Sequence, residues 1–215
     1  NVPRAARDAF EAGVRASREN KSADAVASYE NAIKLFPDYF DAHLVLASEL
    51  ARAGRLDDAI KHLDEARRVN PKDDRVYDLF ARVMRQQHKY AVAARIYAEA
   101  ASLNPQEPQY LVSEAASLID QAATLDPTLP KNAEERTFAY GEAEKALARA
   151  DEISNRRLAD VHLQRARLYE KRGDRARAAD ELEQYLRKAP NAKNAEAIRQ
   201  AIKQLRAPAA DAKKP

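Results

Sequence analysis

The sequence predicts an all-α chain, a right-handed α-solenoid of stacked helical hairpins closed by a C-terminal capping helix. Three observations predict it. Proline recurs at Pro37, Pro71 and Pro105, a spacing of 34 residues. Behind the prolines, five columns of small or apolar residues repeat in the same register: Gly13, Ala47 and Ala81; Ala25, Ala59 and Ala93; Tyr29, Leu63 and Tyr97; Ala32, Ala66 and Ala100; Leu35, Val69 and Leu103. Within the copies, apolar residues fall at i, i+3, i+4 and i+7, the period of one helix face. A fixed period of this length marks units that bury their apolar faces only against their neighbours.

Each copy holds two amphipathic stretches. In the second, Asp41 to Ala53 carries Leu46, Leu50 and Ala53 on one face, and Leu56 to Val69 carries Leu56, Ala59, Ile60 and Leu63. Gly54 divides them, because glycine enters the left-handed conformation that ends a helix at little cost. Proline then closes the unit: it lacks an N–H and crowds the turn before it. The three copies occupy about 4–37, 38–71 and 72–105.

This pattern resembles the tetratricopeptide repeat, a bacterial member being expected. The family's small residue, its Ala-x-x-x-aromatic-x-x-Ala run and its closing proline correspond to Gly13, Ala25, Tyr29, Ala32 and Pro37. The pattern returns at Ala166, Gly173, Ala178, Leu182 and Pro190, a repeat over 157–190 that departs at Tyr185, where the family has a small residue. The resemblance implies a protein-interaction scaffold.

Between these lies an irregular long repeat, 107–155. Ala115 to Ala143 spans 28 positions where Gly13 to Ala25 spans 12, and Asn155 stands where the closing proline would be. The expected elements are helices over 107–124 and 131–153 around the turn Asp126-Pro127-Thr128-Leu129-Pro130. A capping helix over 192–205 follows, with Ala195, Ile198, Ile202 and Leu205 on one face and Lys193, Glu196, Arg199 and Lys203 opposite. Residues 1–206 read as a single repeat domain and 207–215 as a disordered tail.

Composition fits a helical scaffold: 45% hydrophobic, 33% charged, four glycines and no tryptophan. No apolar run reaches the roughly 18 residues that cross a bilayer. The chain begins at Asn1 with the first repeat almost at once, which reads either as a processed product or as a trimmed fragment. With no cysteine, cytosol and periplasm are both compatible, and an exported or periplasmic location is favoured.

Catalysis is not expected. His43, His62, His88 and His162 are scattered, with no second histidine at i+3 or i+4, so no metal site is assigned. The glycines never cluster into a phosphate loop, and no cofactor is expected. The binding surface is instead the concave groove lined by the first helix of each hairpin. Phe10, Val14, Leu44, Val45 and Leu79 form an apolar stripe there, flanked by Arg75 and Arg82, suited to a peptide or protein segment with apolar anchors and an acidic group. The alternative is that inter-repeat packing covers these residues and the arginines solvate a helix face.

Chaperone-tail clamps of this family need lysine and asparagine where Phe10, Val14 and Val45 stand, so that specialisation is excluded. Eight Lys or Arg between Arg156 and Arg177 face only Asp160, Glu170 and Asp174, which leaves an anionic surface as a further possible partner. The net charge of +3 is too slight to indicate nucleic acid. Self-association through the ends or the long hairpin is the competing structural role, in a monomer or weak homodimer.

Overall fold

A computed structural model describes residues 1–207; all of the expected tail except Ala207 lies outside the described residues. Eleven α-helices, and no strand, are found among the described residues. They form two compact units, Asn1–Asn104 and a second that begins at Pro105. In the first, α1 (Arg4–Arg18) and α2 (Ser22–Leu35), α3 (Phe40–Arg52) and α4 (Leu56–Val69), and α5 (Asp74–Gln86) and α6 (Tyr90–Leu103) make three hairpins. Contacts of α2 with α3 and of α4 with α5 stack one hairpin on the next.

The hairpin turns show why the period works. At the end of each first helix the chain enters the left-handed region, at Asn20 (φ 58°), Gly54 (φ 76°) and His88 (φ 58°), again 34 apart. The following amides reach back to close the helix: Lys21 N–H donates to Ala16 O, Arg55 N–H to Leu50 O and Lys89 N–H to Met84 O. At the other end, Phe36, Asn70 and Asn104 precede the prolines in extended conformations (φ −147°, −136° and −129°), as the proline ring requires of the residue before it.

Ala25, Ala59, Ala93, Ala32, Ala66 and Ala100 are fully buried, with Tyr29, Leu63 and Tyr97 packed between them. Gly13 answers a steric demand: a Cβ there would sit 2.5 Å from the Tyr29 ring. The last repeating column behaves differently, because Leu35 and Leu103 lie in the final helical turn and are exposed.

The second unit contains the long hairpin α7 (Pro108–Thr124) and α8 (Pro130–Ile153), then α9 (Ala159–Lys171), α10 (Arg175–Lys188) and α11 (Ala195–Arg206). Proline opens both long helices at positions where a missing N–H does no harm. The turn between them is held by Asp126, whose carboxylate accepts from Thr128 N–H (2.8 Å) and Thr128 Oγ1 (2.7 Å). The helix expected from 192 starts at Ala195, since residues 189–195 are spent in turns closed by Ala192 N–H to Ala189 O and Ala195 N–H to Ala192 O. Tyr185, the bulky departure, is buried, and its hydroxyl donates to Asn194 Oδ1 at 3.0 Å, which ties α10 to the start of α11.

Candidate peptide-binding face

The candidate residues lie on α1, α3 and α5. In the 34-residue register Phe10 aligns with Leu44, Val45 with Leu79, Val14 with Arg82, and Asp41 with Arg75. Phe10 is half-buried, its ring 5.7 Å from that of Tyr29 and 5.1 Å from that of Tyr39, so one side of it belongs to the packing at the start of the stack. Val14, Leu44 and Val45 are half-buried. Leu79 is 8% exposed and supports the face from beneath.

The two arginines are exposed. Arg75 donates two 2.8 Å bonds to Asp73, stands 3.7 Å from Asp41 of the preceding repeat, and lies over the Phe40 ring at 5.5 Å. Arg82 has Asp78 at 3.9 Å, a long and largely solvated pair of small worth that a ligand carboxylate can displace. Ser17 turns instead to the buried Glu49, donating at 2.5 Å to a carboxylate that Arg52 also meets at 3.1 Å.

The histidines are not scattered in space. His43 Nδ1 and His62 Nδ1 are 3.1 Å apart across the α3/α4 hairpin, and His43 Nε2 is 2.8 Å from Pro37 O. A carbonyl only accepts, so Nε2–H of His43 donates to Pro37. In the neutral ring Nδ1 is then bare and accepts from His62 Nδ1–H. Burial, and then the charge of His43, hold His62 below the ordinary imidazole range. In the α9/α10 hairpin His162 Nδ1–H donates to Glu181 at 2.6 Å. A scan for neighbours at i+3 or i+4 misses both pairs because each spans 19 residues. Aligning the repeats by their small-residue columns reveals them: His43 and His162 stand four residues before Ala47 and Ala166, and His62 and Glu181 three after Ala59 and Ala178. Among the described residues no group of three His, Cys, Asp or Glu is placed to hold a metal ion.

The basic segment 156–177 is largely neutralised from within. Arg165 pairs with Asp151 (3.3 Å), Arg167 with Asp120 (2.6 Å), Arg172 with Glu144 (2.8 Å) and Arg177 with Asp174 (2.5 Å), while Arg175 donates to backbone carbonyls of 204, 205 and 207. Sequence counting found only three acids because Asp120, Glu144 and Asp151 arrive from other helices. Glu114 on α7 is the most perturbed carboxyl: burial, aided by the nearby charge of Glu142, pushes it up to about 7.

These observations define an all-α repeat scaffold whose exposed chemistry is that of binding. Residues 16–83 match a family model described as tetratricopeptide repeat, and 160–192 match a second one of the same description. Over these two stretches the chain carries tetratricopeptide repeats. Similar solved structures include a tetratricopeptide repeat protein from Parabacteroides merdae (TM-score 0.76, 14% identity, 94% of this chain and 74% of that one). MamA from Desulfovibrio magneticus RS-1, from residue 41 to its end, is similar with a TM-score of 0.73 and 10% identity, covering 90% of this chain and 99% of that one. YrrB, described as a TPR protein with an unusual peptide-binding site, has a TM-score of 0.65 and 15% identity, over 89% and 90% of the two chains. At these identities the likeness is one of fold. No curated protein matches the chain. Among the described residues no helix is long and apolar enough to cross a membrane.

Proposed function

We propose that this chain is a non-enzymatic scaffold that holds an extended or helical protein segment against the groove formed by α1, α3 and α5. What supports this is a row of half-buried apolar side chains, Phe10, Val14, Leu44 and Val45, beside two exposed arginines, Arg75, which Asp73 holds in place, and Arg82, whose pair with Asp78 is long at 3.9 Å. The apolar residues anchor the segment, Leu79 backs them, and the guanidinium groups orient an acidic residue of the partner. YrrB's description as a peptide-binding protein of similar fold is in keeping with this reading.

A pull-down comparing wild type with a Val14→Glu, Leu44→Glu double variant of equal helicity tests it. Partners retained by the wild type and lost by the variant support the groove; identical captures refute it. A second reading, self-association through the long hairpin, has an observation of its own. Leu129 and Phe138 there are exposed, Phe138 to 69%. Light scattering of a Phe138→Ser variant separates the two, since a dimer lost by that change favours assembly.

A further inference from the structure

Helix α8 and the end of α9 border an open cleft of about 440 Å³. Ala133, Arg136, Thr137 and Tyr140 line it from one face of α8, at the i, i+3, i+4, i+7 spacing, and Lys171 and Arg172 close it from α9. Among the described residues no carboxylate lines it. The Tyr140 ring carries the guanidinium of Arg136 at 5.9 Å and that of Arg172 at 5.6 Å.

The hydrogen bonding of this pocket is incomplete. Tyr140 is 5% exposed, yet among the described residues its hydroxyl has no hydrogen-bond partner, and neither does the buried Nε–H of Arg136. Buried donors are ordinarily satisfied, so two orphans just beneath one wall point to an acceptor that a small shift of these side chains would admit. The charge is unbalanced as well. Arg172 has Glu144 at 2.8 Å, whereas neither Arg136 nor Lys171 has a carboxylate within ion-pair distance among the described residues. The cations are not engaged in capping α9, because the carbonyls of Leu168, Tyr169 and Glu170 already accept from the amides of Arg172, Asp174 and Gly173.

We propose that this pocket binds the phosphoryl group of a small soluble phosphomonoester. Three cations and a hydroxyl converge from two helices, which suits the three terminal oxygens and double charge of a phosphoryl group better than the planar pair of a carboxylate. The volume, within the range of small-ligand sites, admits the phosphate and a compact organic group, with the Tyr140 ring as an apolar wall. A bilayer surface suits it less well, since the neighbouring Arg165, Arg167 and Arg177 are already paired internally.

The test uses the full chain and phenyl phosphate, followed by calorimetric titration, with benzoate, a phosphoserine peptide and vesicles containing phosphatidylinositol phosphate as further arms. Phenyl phosphate should bind, and its affinity should rise as pH is raised through about 6, where the second phosphate proton leaves. Arg136→Gln should weaken it about tenfold. Tyr140→Phe, which keeps the ring and its cation contacts, should weaken it about threefold. Equal affinity in both variants, benzoate binding as tightly as phenyl phosphate, or binding confined to the peptide or the vesicles would each overturn the proposal.

Discussion

The α3/α4 and α9/α10 hairpins place side chains at the same two positions of the repeat and use them for different chemistry. In the first, His43 and His62 share a hydrogen bond of 3.1 Å and leave no room for two positive charges; in the second, His162 donates to the carboxylate of Glu181 at 2.6 Å. Both hairpins bury a small residue at the same repeat position, Ala59 in one and Ala178 in the other. The lesson is that the repeat fixes which side chains meet, and leaves open what they do when they meet.

The most forceful way to break the comparison is to spoil the shared geometry. Ala59 is fully buried three residues before His62, so Ala59→Leu should overpack the α3/α4 hairpin and lower stability by about 2 to 3 kcal/mol. Chemical denaturation reads this directly, and an unchanged midpoint would show that the column does not set helix separation.

Removing one member of each pair sharpens the contrast. Glu181→Ala strips a charge-assisted bond from a largely buried histidine and should cost about 2 kcal/mol, whereas His62→Ala removes a neutral bond and should cost about 1 kcal/mol. Equal losses would mean that packing, not hydrogen bonding, dominates at both positions.

The smallest effects appear on titration, with opposite signs in two hairpins. His62 has a folded pKa below its unfolded value near 6.5, so the folded chain binds fewer protons than the unfolded one and stability falls as pH drops below about 6.5. Glu114 has a folded value of about 7 against 4.5, so the folded chain keeps a proton the unfolded one releases, and stability falls as pH rises through that window. Glu114→Gln should therefore remove the alkaline loss, on the order of 1 to 2 kcal/mol once solvent screening at a half-buried site is allowed for. His62→Gln should remove the acid loss. Amide exchange followed hairpin by hairpin distinguishes them: α7/α8 should respond to the first variant and α3/α4 to the second.

Much of the fold is legible in the chain because repeats interact locally. The columns through Ala25, Tyr29 and Ala32 mark the buried seam of each hairpin, and the prolines force the extended residues that join one unit to the next. The left-handed position at Asn20, Gly54 and His88 is harder to see, since only one of the three is glycine and the turn geometry carries the other two. The candidate face is legible as a set of helix positions, but not its depth: Leu79 shares the register of Val45 and Phe10 that of Leu44, yet Leu79 is buried and Phe10 packs on two tyrosines.

By itself the sequence determined the class of fold, the length of the repeat and the helices that carry the candidate face, because each follows from periodicity within about 34 residues. Tertiary structure alone decided the long-range pairings. The neutralisation of Arg165 and Arg167 by Asp151 and Asp120, and the stacking of Arg172 on Tyr140, join residues on different helices. No local pattern records such pairs. They arise only when packing brings two helix faces together and removes water from between them.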